Sequence, residues 1–150
     1  MRSLLLLLLL APLLRVISPA AATGPPPGDP QVALAPFAVE SDSAGILRAL
    51  ADTCLERLAR GLTANGIAIA RHPRLTDKTL PAARPARWAV LGIVSRKDGA
   101  FRAELRLLEV STGDEMRSYF NTDRDSEPVA NLGTAAAARI ARFVREQPDS

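Results

Sequence analysis

The chain has 150 residues, of which 47% are hydrophobic and 4% aromatic, and its 19 basic and 16 acidic residues give a formal net charge of +3. Arg2 and Arg15 belong to the first 22 residues, so 17 basic residues face 16 acidic ones beyond that point and the charge there falls to about +1. This near-neutrality, with only six scattered aromatic residues, argues against nucleic-acid binding, which needs a basic footprint interleaved with stacking rings.

Residues 1–22 have the layout of a secretory signal peptide: Arg2 near the start, an apolar run from Leu4 to Leu14, and small residues up to Ala22. The run is too short for a membrane span and is interrupted by Pro12, Arg15 and Pro19. Cleavage is expected after Ala22. No cysteine lies near that point to carry a lipid, so the mature chain is expected to be exported and without a transmembrane segment. The Pro/Gly-rich stretch "TGPPPGDP" (23–30) reads as an extended tether, and one domain follows over 31–146 with a short tail at 147–150.

"QVALAPFAV" (31–39) reads as a buried strand with Pro36 marking a sheet edge or strand end. "SDS" (41–43) offers N-caps for a helix from Ala44 to about Asn65, on which Leu47, Leu50, Cys54, Leu58 and Leu62 share one face. Cys54, the only cysteine, therefore reads as a core residue rather than a redox thiol. Asn65 and Gly66 stop the helix, and "IAIA" (67–70) is the next strand.

Residues 71–87 hold the one local basic concentration: Arg71, Arg74, Lys78, Arg84 and Arg87 against Asp77. A solvated connection is the simplest expectation; the same five residues are the candidate partner-binding set, for an anionic surface. His72 is the only histidine and has no cysteine or second histidine to share a metal, so no metal and no cofactor is expected.

"RWAVLGIVS" (87–95) is apolar on both faces, as a central strand is, and Asp98-Gly99 signals a tight hairpin. In the partner strand, Phe101, Ala103, Leu105 and Leu107 alternate with Arg102, Glu104 and Arg106, so the sheet has one face that is wet or meets a partner. A second hairpin bends through Ser111 to Glu115 around Gly113 into "MRSYFN" (116–121), with Met116, Ser118 and Phe120 on one face. Ser126 as N-cap, Glu127 and Pro128 open the last helix, whose stripe is Val129, Leu132, Ala136, Ile140, Phe143 and Val144. Asp123, Asp125 and Glu127 have the spacing of a calcium loop, but Pro128 and Thr134 stand where glycine and glutamate are required.

The expected fold is α/β of the α+β two-layer kind: a mixed sheet of about five strands with two main helices on one face, in the order β-α-β-(loop)-β-β-β-α. "VALAPFAVE", the helix end "LTANGI" and "RWAVLGIVSRKDGAFRAELRLLEVSTGDEMRSY" resemble the N-terminal domain of TolB and TolB-like bacterial domains. The shared features are the strand Leu34 to Phe37, Leu91 with Gly92, and Leu107 to Gly113. Related modules occur in periplasmic proteins such as LpoB, FlgT and CsgG. The resemblance implies a periplasmic, non-catalytic contact module of the cell envelope; secretion is the alternative location.

The residues point the same way. No serine sits in a nucleophile elbow, no glycine loop is built to cradle phosphate, and Asp114 and Glu115 in a solvated bend lack anything to separate their pKa values. An enzyme is not expected. The leading expectation is docking to an envelope protein through a sheet edge, a loop or segment 71–87. The alternative is self-association as an accessory subunit, because six acids between Glu109 and Glu127, against Arg117 and Arg124, complement the basic segment. A groove for a small ligand ranks behind both.

Overall fold

The computed structural model describes residues 29–40 and 45–148. The leader, residues 23–28 of the tether, the cap candidates at 41–43 and the last two residues lie outside the described residues. The elements are β1 (Val32–Leu34), β2 (Ala38–Val39), α1 (Ile46–Ala64), β3 (Ile69–Arg71), a 3-10 turn (Leu80–Ala83), β4 (Trp88–Lys97), β5 (Ala100–Glu109), β6 (Glu115–Asp123), α2 (Ser126–Ala130) and α3 (Leu132–Glu146). They form a mixed sheet in the order β3-β1-β4-β5-β6, with β2 also pairing β4 and helices α1 and α3 layered on one face.

The first strand is two strands, and the reason is Pro36. β1 pairs β4 through Leu34↔Val90 and β2 resumes at Ala38↔Ile93, so one strand spends four steps where the other spends three. The extra residue is a local interruption at a residue with no N–H to give to a ladder. Pro36 thus marks a strand end, as expected: β1 before it lies between β3 and β4, whereas β2 after it pairs β4 alone and forms a short edge segment, the longer edge being β6.

β4, β5 and β6 make the antiparallel meander that the alternation predicts. Asp98 and Gly99 have φ of 53° and 77°, the pair of left-handed conformations that a two-residue hairpin needs between Lys97 and Ala100. Phe101, Ala103, Leu105 and Leu107 are buried against the helices. β6 departs from simple alternation: Leu107 pairs Arg117 while Leu108 pairs Glu115, leaving Met116 as an extra residue. Met116 packs on the core, whereas Phe120 is 64% exposed, so the two do not share a face.

α1 buries Leu47, Leu50, Cys54, Leu58 and Leu62, as its spacing requires. Gly66, with φ of 78°, ends it, and Asn65 keeps a right-handed backbone while its side chain donates to the carbonyl of Gly61. The final helix is two helices. Asp125, not Ser126, holds the N-cap position; its extended backbone (φ −91°, ψ 141°) sits outside the helix, and Ser126 is already helical. The chain then turns at Asn131 before α3. Trp88 and Phe143 meet edge to face at 5.3 Å where sheet and α3 join.

The second face of the sheet is not simply wet. Leu75, Leu80, Ala83 and Ala86, from the stretch expected to be a solvated connection, cover Ala33, Ala89, Leu108 and Val110 in a smaller core. Burial of these four side chains anchors segment 72–87 over β1, β4 and the start of the second hairpin.

Candidate interaction surfaces

The five basic residues of segment 71–87 separate into two kinds. Arg71 forks onto Glu56, with Nη1 to Oε1 at 2.7 Å and Nη2 to Oε2 at 3.3 Å, and this hydrogen bonding holds the Glu56 carboxyl below its ordinary range. Arg87 lies over the Trp88 ring at 4.7 Å, donates to the carbonyl of Pro148 at 2.7 Å and stands 4.0 Å from Glu109. Both are engaged in holding the fold. Arg74, Lys78 and Arg84 are exposed and, among the described residues, enter no ion pair. The structure thus leaves three of the five available to a partner.

Beside Arg74 runs a groove of about 480 Å³. Its walls are the β1–β2 link and Pro73 to Asp77; its floor is the outer face of β4 and β5, with Leu91, Ile93, Glu104 and Arg106. Arg106 bridges two carboxylates there, Asp77 at 2.6 Å and Glu115 at 3.0 Å. Glu115 belongs to the acidic segment, so part of the negative charge that favours head-to-tail pairing is neutralised within one chain.

Two of the three carboxylates around Gly113, those of Glu109 and Glu115, have partners within the fold. Glu109 accepts from the Ser111 hydroxyl, its carbonyl accepts the Gly113 N–H at 2.8 Å, and Gly113 takes φ of 77° to close the bend. Glu115 is not in the solvated bend but opens β6, where it meets Arg106. Asp123 accepts the N–H of Asp125, and Glu127 pairs Arg57 at 2.9 Å, so the three acids with calcium-like spacing turn to different partners. Among the described residues no group of three metal-ligating side chains forms. Cys54 is fully buried, and desolvation pushes its thiol up to about 11 against the lowering influence of the Gly133 backbone and Arg57.

Sequence reasoning missed the free edge of β6. Tyr119 and Phe120 are adjacent, so the pleat sends them to opposite faces: Tyr119 packs against the core, and Phe120 lies in solvent with the Arg102 guanidinium 4.9 Å over its ring. Grooves line this edge on the α3 side, walled by Arg139 and Arg142. The signal was the aromatic pair inside a strand with few apolar residues of its own.

No family model and no curated protein matches the sequence. Solved structures do share its fold. The PelC dodecamer from Paraburkholderia phytofirmans is similar with a TM-score of 0.54 at 21% identity, over 81% of this chain and 91% of that one. TolB from Acinetobacter baumannii is similar with a TM-score of 0.52 at 13% identity; 81% of this chain covers 30% of that protein. Lipoprotein GNA1162 from Neisseria meningitidis gives a TM-score of 0.50 at 13% identity, over 79% of this chain and 99% of that one. At these identities the likeness is one of fold. It includes TolB, as the motifs suggest, but it does not single TolB out.

Proposed function

We propose that this chain is an exported, non-catalytic protein-interaction module of the bacterial cell envelope. The observation that carries the reading is the anchoring of segment 72–87: Leu75, Leu80 and Ala83 are buried while Arg74, Lys78 and Arg84 stay exposed and unpaired. Cations on a backbone fixed to a core are presented at defined positions, which lowers the entropy lost when a partner binds. The matching surface is an acidic patch on a folded protein. The TolB-like motifs and the fold shared with TolB, PelC and a lipoprotein support the envelope setting.

The test replaces Arg74, Lys78 and Arg84 together by glutamine and compares partners captured by cross-linking from envelope extracts. Loss of specific partners is expected, with far-UV circular dichroism unchanged. Capture of the same partners at the same yield overturns the role of this surface. Recovery of the chain in the periplasmic fraction with residue 23 at its N-terminus is the result expected for export.

A second reading, a self-associating accessory subunit, is favoured by the uncovered β6 edge and by the fold shared with the PelC dodecamer.

A further inference from the structure

β6 ends the sheet, and among the described residues no strand pairs with its outer side. Which of its backbone groups point outward follows from the hairpins. The two-residue turn at Asp98-Gly99 makes Lys97 and Ala100 a mutually hydrogen-bonded pair, so the even positions of β5 bond to β4 and its odd positions bond to β6. The Glu109 N–H donating to the Asp114 carbonyl, and the Trp88 N–H donating away from β5 to Gln31, agree with that parity. The odd residues of β5 oppose Arg117, Tyr119, Asn121 and Asp123. Ser118, Phe120 and Thr122 therefore turn their N–H and C=O groups to the open side.

Beyond the Met116 bulge at its start, this edge lacks the usual protection. β6 has nine residues, no proline or glycine, and no charge among its three outward-bonding positions. It is also electrically polar along its length. At one end Arg117 stands beside Arg139 and Arg142 of α3, the latter paired with Glu146; at the other Asp123 and Asp125 flank Arg124, for a net negative charge. Arg117 and Asp123 enter no ion pair among the described residues; Arg117 lies over the Phe143 ring and donates to the Met116 carbonyl, and Asp123 accepts only the Asp125 N–H.

An edge that is positive at one end and negative at the other is complementary to itself when turned end for end. We infer that β6 pairs antiparallel with β6 of a second copy of this chain, about a two-fold axis at Phe120, joining two sheets into one. This rests on the self-association reading and adds its register. With the axis at Phe120, Arg117 lies opposite the partner's Asp123 and Asp123 opposite the partner's Arg117. Ser118 bonds with the partner's Thr122, and the two Phe120 rings meet on the axis. The open backbone groups fall in hydrogen-bonded pairs, and every opposed pair keeps its side chains on one face. Moving the axis to Tyr119 sets Arg117 against the partner's Asn121 and loses both charge pairs, moving it to Ser118 carries Asp123 past the strand end, and moving it to Asn121 does the same to Arg117. A parallel arrangement brings the cationic ends together. Charge thus selects one register among those the backbone permits.

The test is a charge exchange followed by light scattering of the purified protein across concentration. The wild-type chain is expected to form dimers or larger even-numbered assemblies. Arg117→Asp and Asp123→Arg are each expected to weaken association roughly tenfold or more, because each sets like charges opposite one another twice. Mixing the two variants restores complementary pairs and is expected to restore association, as is the double variant. Phe120→Lys changes an exposed residue outside the core, so the fold is expected to survive, and puts two ammonium groups on the axis; it too is expected to dissociate the copies. A wild-type monomer at all concentrations overturns both this pairing and self-association itself. An oligomer indifferent to these changes, or one that mixing fails to restore, removes this interface and leaves self-association standing.

Discussion

The ring of Phe37 packs against Gly92, so closely that a Cβ on the glycine would come to 2.5 Å from the ring. Phe37 follows the interruption at Pro36 and is 1% exposed, held in the main core, so the ring has no room to withdraw. Gly92→Ala is expected to destabilise the fold by about 1–3 kcal/mol, the range for overpacking a close-packed core. A lower denaturant midpoint at an unchanged slope is the measurement that reads it. In the Phe37→Ala background the same change is expected to cost far less, because the cavity accepts the methyl group.

Gly133 stands where α3 crosses α1, and a Cβ there would run into the carbonyl oxygen of Cys54 and approach the Leu58 amide nitrogen at 2.9 Å. A Cβ at Gly61 would meet the Ala137 Cβ across the same crossing, at 2.5 Å. The difference is that backbone cannot rotate away, whereas the second obstacle is one methyl group. Gly133→Ala is expected to lower the melting temperature more than Gly61→Ala. Pairing Gly61→Ala with Ala137→Gly is expected to recover part of the loss, and no single side-chain truncation is expected to do so for Gly133→Ala.

Cys54 links that crossing to pH. Its thiol titrates near 9 in an unfolded chain and is pushed up to about 11 by burial, so the folded state holds its proton more tightly. Below pH 9 the thiol is neutral in both states and the full stability is present. Between pH 9 and 11 only the unfolded chain ionises, and stability falls by about 1.4 kcal/mol per pH unit from this group. Chemical unfolding at pH 8 and pH 10.5 is expected to show a drop in the wild type that is smaller in Cys54→Ala. Tyr119, whose hydroxyl is also raised by burial, leaves a residual slope in both proteins.

What could be read from the residues alone was local. Asp98-Gly99 needed only its own two backbone angles, and the alternation from Phe101 to Leu107 needed only a sheet with one dry face. The Met116 bulge was not legible, because it depends on how two strands with different ends are brought into register. Segment 72–87 was misread for a related reason: Leu75, Leu80, Ala83 and Ala86 follow neither a strand nor a helix period, so their burial is decided by the sheet beneath them. The basic set was legible as a cluster, yet its division depended on partners distant in sequence, such as Glu56 for Arg71 and Trp88 with Pro148 for Arg87. The pairing of Asp77 with Arg106 was hidden in the same way.

Leu80 separates an anchored surface from a solvated loop. Its side chain is 2% exposed in the smaller core, in the short turn between Lys78 and Arg84, and it carries no charge. On a solvated loop Leu80→Ala would change stability by less than about 0.5 kcal/mol; from a packed position the expected loss is about 2–5 kcal/mol. The functional consequence is separable from the charge. Leu80→Ala keeps every cation but frees the backbone that positions them, so partner capture is expected to weaken together with stability. Arg74→Gln removes a cation from an intact surface, so capture is expected to weaken while the unfolding midpoint stays put. Equal capture by the wild type and both variants would show that neither the charges nor their placement contributes to binding.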